Sequence, residues 1–222
     1  MGLTQGVLIG MEWKFAVYCL TSLFAVLNPV GSLPIYLSLT GDRRASEARR
    51  IAVITAVSVF VTLTAFMLLG EHLLRFFGIG LPAFRAGGGI LILLMAVSML
   101  QGRVSTVKHT EPEASESAQR DTVAIVPLAI PVLAGPGSIS TVMLVMHEAE
   151  TWRERLALFA AIIFCALLIY GLFSAAQRLR DRIGILGINI VTRVMGLILA
   201  AIAVQFIAQG LVQLLPGLGA PR

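Results

Sequence analysis

Two short stretches carry most of the polar chemistry of an otherwise apolar chain. "NPVGSLP" covers residues 28–34 and "PVLAGPGS" covers residues 131–138, each setting prolines, glycine and hydroxyl or amide side chains inside a long apolar run. Proline lacks an N–H, and its ring clashes with the carbonyl four residues back. Pro34 is expected to free the carbonyl of Val30, Pro29 that of Ala25, Pro136 that of Val132 and Pro131 that of Pro127. A helix interrupted there exposes amides and a positive dipole at one new end and carbonyls at the other. Those ends suit a carboxylate and an ammonium, so paired breaks can hold a zwitterion such as a small amino acid without a full protein charge. Asn28, Ser32, Ser138, Ser140 and Thr141 add hydrogen-bonding groups beside them. The candidate substrate site therefore comprises Asn28, Pro29, Gly31, Ser32 and Pro34, with Pro131, Gly135, Pro136, Gly137, Ser138, Ser140 and Thr141. The competing reading makes the prolines packing kinks satisfied by neighbouring helices.

Other candidates are sparser. Arg85 and Arg193 lie within the boundaries of apolar runs, near their starts, where gating or helix-end neutralisation competes with interfacial anchoring. Glu71 with His72, and His147 with Glu148, fall at run ends; solvated pairs are the default, and they are also the nearest candidates for a proton relay. Ser138 and His147 would stand about 13 Å apart on an ideal helix, too far for a nucleophile and its base. No His-Glu-x-x-His motif is present, so an intramembrane enzyme is the weaker alternative and the chain is not expected to be an enzyme. Cys19 and Cys165 lie inside apolar runs and read as packing residues. "AGGG" at residues 86–89 and Gly196 fit close helix packing better than a phosphate loop, which needs a preceding strand. Neither a metal nor another cofactor is expected.

These residues need a membrane to be informative. The 222 residues are 57% hydrophobic and 13% charged, with mean hydropathy +0.89, and the apolar runs lack the polar stripe of a soluble bundle. Six runs have the length of a spanning helix, about 20 residues: 15–39, 51–70, 82–100, 122–146, 156–176 and 188–215. The expected fold is all-α, a polytopic membrane protein with spans one and four interrupted. No removable signal peptide is expected, and Met11 is an alternative start. The net charge of +5 reports topology and not nucleic-acid binding. Loops one, three and five hold Arg43, Arg44, Arg49, Arg50, Arg103, Lys108, Arg120, Arg178, Arg180 and Arg182, against Lys14, Arg75, Arg153, Arg155 and Arg222 on the other face. By the positive-inside rule both termini lie outside, which is periplasmic for a protein of a bacterial inner membrane.

A repeat underlies this order. Residues 101–121 form a polar cytoplasmic loop inside the single transmembrane domain of 1–222, dividing repeats 15–100 and 122–215. "GSL" at Gly31 matches "GSI" at Gly137, "RAGGGIL" from Arg85 matches "RVMGLIL" from Arg193, and Gly78 matches Gly184. Three spans per unit invert the second unit relative to the first, as in many secondary transporters.

"FAVLNPVGSLPIYLSLT", "FRAGGGILILLMAVSML", "VPLAIPVLAGPGSIS" and "GINIVTRVMGLILAAIAVQFI" resemble the MarC family of bacterial inner-membrane proteins, closest to its SnatA and YchE branch. The resemblance covers about residues 15–219. It implies six transmembrane helices, kinship with the LysE exporter group and, for the SnatA branch, transport of small neutral amino acids such as glycine and alanine. The expected function is accordingly a secondary transporter working by alternating access, by export or uptake, with a proton or sodium ion as a possible coupling ion. The lipid bilayer is its other partner, and a homo-oligomer is compatible with the sequence. A passive channel or an accessory membrane subunit stands as the alternative.

Overall fold

A computed structural model describes residues 2–40, 43–101 and 133–215. Seven helices occur among them: α1 (Gly2–Leu27), α2 (Leu33–Thr40), α3 (Ala45–Phe76), α4 (Leu81–Leu100), α5 (Pro136–Glu148), α6 (Trp152–Ser174) and α7 (Ala176–Leu214). No strand is present among the described residues. α3, α4, α6 and the Leu186–Leu214 part of α7 are each long and apolar enough to cross a membrane. Their outer surfaces carry exposed Val57, Val61, Leu68, Leu167 and Leu197, a surface for lipid rather than water. The chain is thus a multi-pass integral membrane protein.

The two remaining expected spans are the ones with proline motifs. Span one divides into α1 and α2, with residues 28–32 between them. Of span four, the described part begins at Leu133 and turns helical at Pro136. Its first part, including the candidate Pro131 and the carbonyls of Pro127 and Val132, lies outside the described residues, as does most of the loop 101–121.

Several helices outrun their apolar cores. α3 begins at Ala45 and ends at Phe76, taking in Glu47, Arg49 and Arg50 at one end and Glu71 and Arg75 at the other. Hydropathy marks only the stretch in hydrocarbon, whereas i to i−4 hydrogen bonds continue into the polar boundary. There Glu71 and Arg75 pair at 2.6 Å one turn apart. α6 starts on a capping box in which the Thr151 hydroxyl accepts from the Glu154 N–H and the Glu154 carboxylate accepts from the Thr151 N–H. α7 begins well before residue 188 and is interrupted at Gly184, with φ 74° and ψ 167°. Gly78 and Gly184, matched in the sequence, are the described glycines with positive φ.

α4 packs along α7, α3 along α6, and α1 along both α5 and α6; α5 also contacts α3 and α4. Small residues permit the closest approach. A Cβ at Gly89 would stand 2.9 Å from the Ala203 carbonyl oxygen, and one at Gly210 would stand 2.7 Å from that of Pro82. One at Gly196 would meet the Ala96 carbonyl at 3.2 Å, whereas Gly87 has nothing within 4 Å. The expectation of helix packing therefore holds for Gly89 and Gly196, not for Gly87.

The bundle has two distinct ends. At one, Tyr18, Arg85, Glu148 and Gln209 come together from α1, α4, α5 and α7. At the other, Tyr36 stacks on Phe173 at 4.4 Å and donates to the Ala48 carbonyl at 2.8 Å, while Arg49 donates to the Tyr170 hydroxyl. α3 begins and α6 finishes at this second end, so the two run antiparallel.

Candidate functional site: two helix breaks and the mouth above them

Asn28 ends α1. Its φ of 46° makes it the described non-glycine residue with a left-handed backbone, a conformation asparagine tolerates better than most side chains. The side chain is 3% exposed and folds back so that its Oδ1 accepts the Gly31 N–H at 3.0 Å. Its Nδ2 points at the Met99 sulfur, 3.0 Å away on α4, and a thioether is a weak acceptor. The Asn28 carbonyl accepts from both the Ser32 N–H and the Ser32 hydroxyl, each at 3.2 Å. The Val30 carbonyl, which Pro34 was expected to leave free, instead accepts the Leu33 N–H at 3.1 Å. A turn of i to i+3 type takes up what the ring cannot.

The second break is built alike. Gly135 is extended, with φ −78° and ψ 179°, and α5 starts at Pro136, where a missing N–H costs nothing. The buried Ser138 hydroxyl donates back to the Leu133 carbonyl, as Ser32 does to Asn28. Thr141 donates to the Gly137 carbonyl at 2.9 Å. Ser140 is buried with it and faces α4, where a Cβ at Gly88 would run into its side chain.

α4 brings the breaks together. A Cβ at Gly137 would lie 2.6 Å from Ile92 Cγ1 and 3.4 Å from Val26 Cγ1, and one at Gly31 would overlap the Met99 methyl and the Asn28 amide. Ile92 and Met99 are two turns apart, about 10 Å along an ideal helix. Asn28, Pro29, Gly31, Ser32, Gly135, Gly137, Ser138, Ser140 and Thr141 are all buried in this region, and Pro34 is half-buried on the first turn of α2. The breaks are close-packed: at Gly31 and Gly137 even a methyl group lacks room.

The two arginines part company. Arg193 is exposed on α7 and has no ion pair among the described residues. The Arg85 side chain is only 12% exposed and pairs with Glu148 at 2.6 Å, and it also donates to the Gln209 amide oxygen at 3.4 Å. Tyr18 donates to the other Glu148 oxygen at 3.1 Å. Glu148 is therefore no merely solvated acid, and the charge separation of 63 residues is what hid the pair. A second feature was readable in the sequence: Gln205, Gln209 and Gln213 recur every four residues, a polar stripe on one face of a spanning helix. With Arg85, Glu148, Tyr18, Ser22 and Val26 they line a cavity of about 500 Å³. Val26 also touches the position of Gly137, so the cavity floor adjoins the second break.

Comparison with known proteins finds relatives of the chain. Residues 13–215 match the family described as MarC family integral membrane protein. A UPF0056 membrane protein of Aquifex aeolicus is 43% identical over 197 residues, covering 87% of this chain and 91% of that protein. A second, of Methanocaldococcus jannaschii, is 40% identical over 201 residues, covering 90% and 98%. The Escherichia coli UPF0056 membrane protein YhcE is 37% identical over 196 residues, covering 88% and 91%. No solved structure shows significant similarity to the chain.

Proposed function

The chain belongs to the MarC family of integral membrane proteins, and on that footing we propose that it is a secondary transporter of small neutral amino acids, of the glycine and alanine type, working by alternating access. The observation that carries this reading is the pair of buried helix breaks, Asn28–Ser32 and Ala134–Ser138, stacked against one face of α4. Each break offers backbone polar groups and a serine hydroxyl at a depth where a continuous helix offers none. The weakly engaged Nδ2 of Asn28 is the donor best placed for a substrate carboxylate, and the serine hydroxyls can exchange their backbone acceptors for a ligand. The breaks are closed in this structure, with no room for even a methyl group at Gly31 and Gly137, so substrate reaches them in another state of the proposed cycle.

The inverted repeat of 15–100 and 122–215 is part of the proposal. Exchanging the units relates span one to four, two to five and three to six. The packing of α1 on α5, α3 on α6 and α4 on α7 supports that exchange, and so does the contact of α1 with α6 matched by that of α3 with α5. The left-handed Gly78 and Gly184 correspond under it as well. In this reading there are six spans, and the end holding Arg85 and Glu148 faces outward in the inner membrane, with both termini on that side.

Purified protein in proteoliposomes, screened over amino acids, tests the function. Saturable uptake of glycine or alanine with counterflow is the expected result. Linear flux without counterflow would make the protein a channel, and inactivity of the pure chain beside activity in native membranes would make it an accessory subunit.

A further inference from the structure

The cavity at the Arg85 end is open, polar and separate from the closed breaks beneath it. It holds one guanidinium and one carboxylate, set against each other at 2.6 Å, and amides of Gln205 and Gln209 beside them. A carboxylate and a guanidinium facing one cavity form the complement of a zwitterion. A ligand with both charges can replace the pair by two new pairs, its carboxylate on Arg85 and its ammonium on Glu148, leaving neither side chain unmatched. A ligand with one charge strands the other partner, which in a half-buried site is unfavourable. Gln209 already accepts from Arg85, and Gln205 and Gln213 on the same face add amides that can answer the remaining polar atoms of such a ligand. At about 500 Å³ the space accepts an amino acid together with water. Its floor at Val26, next to Gly137, sets a bound molecule directly above the second break.

We propose that this cavity is an outer binding site for a zwitterionic α-amino acid, held by Arg85 through its carboxylate and by Glu148 through its ammonium. The choice of ligand rests on the transport reading above, whereas the site itself does not involve the residues of the breaks. The test counts radiolabelled glycine bound per chain at equilibrium, with the full chain in lipid nanodiscs. R85Q and E148Q are each expected to lower the count by one molecule. Gln205→Phe, which fills the cavity and leaves the ion pair intact, is expected to remove the same molecule, so a neutral variant that does not fold leaves the question decidable. Glycinamide and acetate, which carry one charge each, are expected not to displace it. An unchanged count in Q205F, or in a folded E148Q, overturns the proposal. Loss of bound glycine in N28A but not in E148Q would leave the breaks as the site and remove this one; the reverse pattern would keep this site and remove the breaks.

Discussion

Asn28 offers the sharpest separation of backbone from side chain. Its backbone holds φ at 46°, and its side chain caps the Gly31 N–H while lying 3% exposed. Glycine at this position keeps the turn and loses the cap, at a cost of about 1–3 kcal/mol for a buried N–H left unpaired. Alanine loses the same cap and adds a Cβ in a left-handed conformation, about 1–2 kcal/mol more. Glycine's looser unfolded chain takes back about 0.4–1 kcal/mol of that difference. The net gap between the variants is then about 1 kcal/mol, or roughly 2–4 °C in melting temperature for a chain of this size. Thermal unfolding of wild type, N28G and N28A in one detergent should give that order, with N28A lowest. Glycine uptake gives a different order. Both variants lack Nδ2, so both should raise the transport KM alike, about 5–10-fold for one hydrogen bond of about 1 kcal/mol. If N28A melts as high as N28G, the left-handed turn is not what ends α1. If uptake follows melting temperature instead of the shared loss of the amide, Asn28 is structural and not part of the substrate site.

Gly88 and Gly87 make a contrasting pair: a Cβ at Gly88 overlaps Ser140, whereas one at Gly87 meets nothing within 4 Å. G88A should destabilise by about 1–3 kcal/mol through overpacking, with partial recovery in G88A/S140G, while G87A should be neutral or stabilising by about 0.4–1 kcal/mol, all measured by thermal unfolding. G184A should cost about 1–3 kcal/mol despite open surroundings, because φ 74° with ψ 167° is a region essentially confined to glycine; a melting temperature equal to wild type would contradict the kink. Ser138→Ala strands the buried Leu133 carbonyl and should cost about 1–3 kcal/mol, with Ser138→Thr recovering stability if the hydroxyl alone matters. Thr151→Ala removes the start of α6 and should cost about 0.5–2 kcal/mol, without changing transport KM, since the cap is remote from the breaks.

What the sequence discloses and what it hides follow from range. Proline and glycine act on their own few residues, so the break after Leu27 and the start of α5 at Pro136 could be located by inspection. The fate of the Val30 carbonyl could not, because a local shift to an i+3 bond depends on how Leu33 enters α2. Apolarity marks the lipid boundary and not the last hydrogen bond, so α3 extends beyond the apolar run 51–70 at both ends and α7 begins before 188. The pairing of Arg85 with Glu148 needs the register between α4 and α5, which no periodicity within either helix contains. Arg85 and Arg193 match in sequence yet differ in surroundings, because Glu148 has no counterpart near Arg193 among the described residues.

The difference between the two arginines bears on the proposed alternating access. Equivalent units, as the proposed repeat would have them, would close each face with the same latch, yet the two ends hold different chemistry. At the Arg85 end, an ion pair, a tyrosine and a glutamine link four helices around the cavity. At the other end the links are aromatic stacking of Tyr36 on Phe173 and Arg49 against Tyr170. An ion pair beside water is weakened by salt and can be exchanged for another pair of charges, whereas the stacking of two neutral rings responds to neither. In the proposed cycle a zwitterionic ligand would open the first end by exchanging the ion pair, and the second would open by a rearrangement of packing, for example of α2 beyond the Asn28 break. A transporter built this way would show salt-sensitive binding from the Arg85 side and salt-insensitive release at the other.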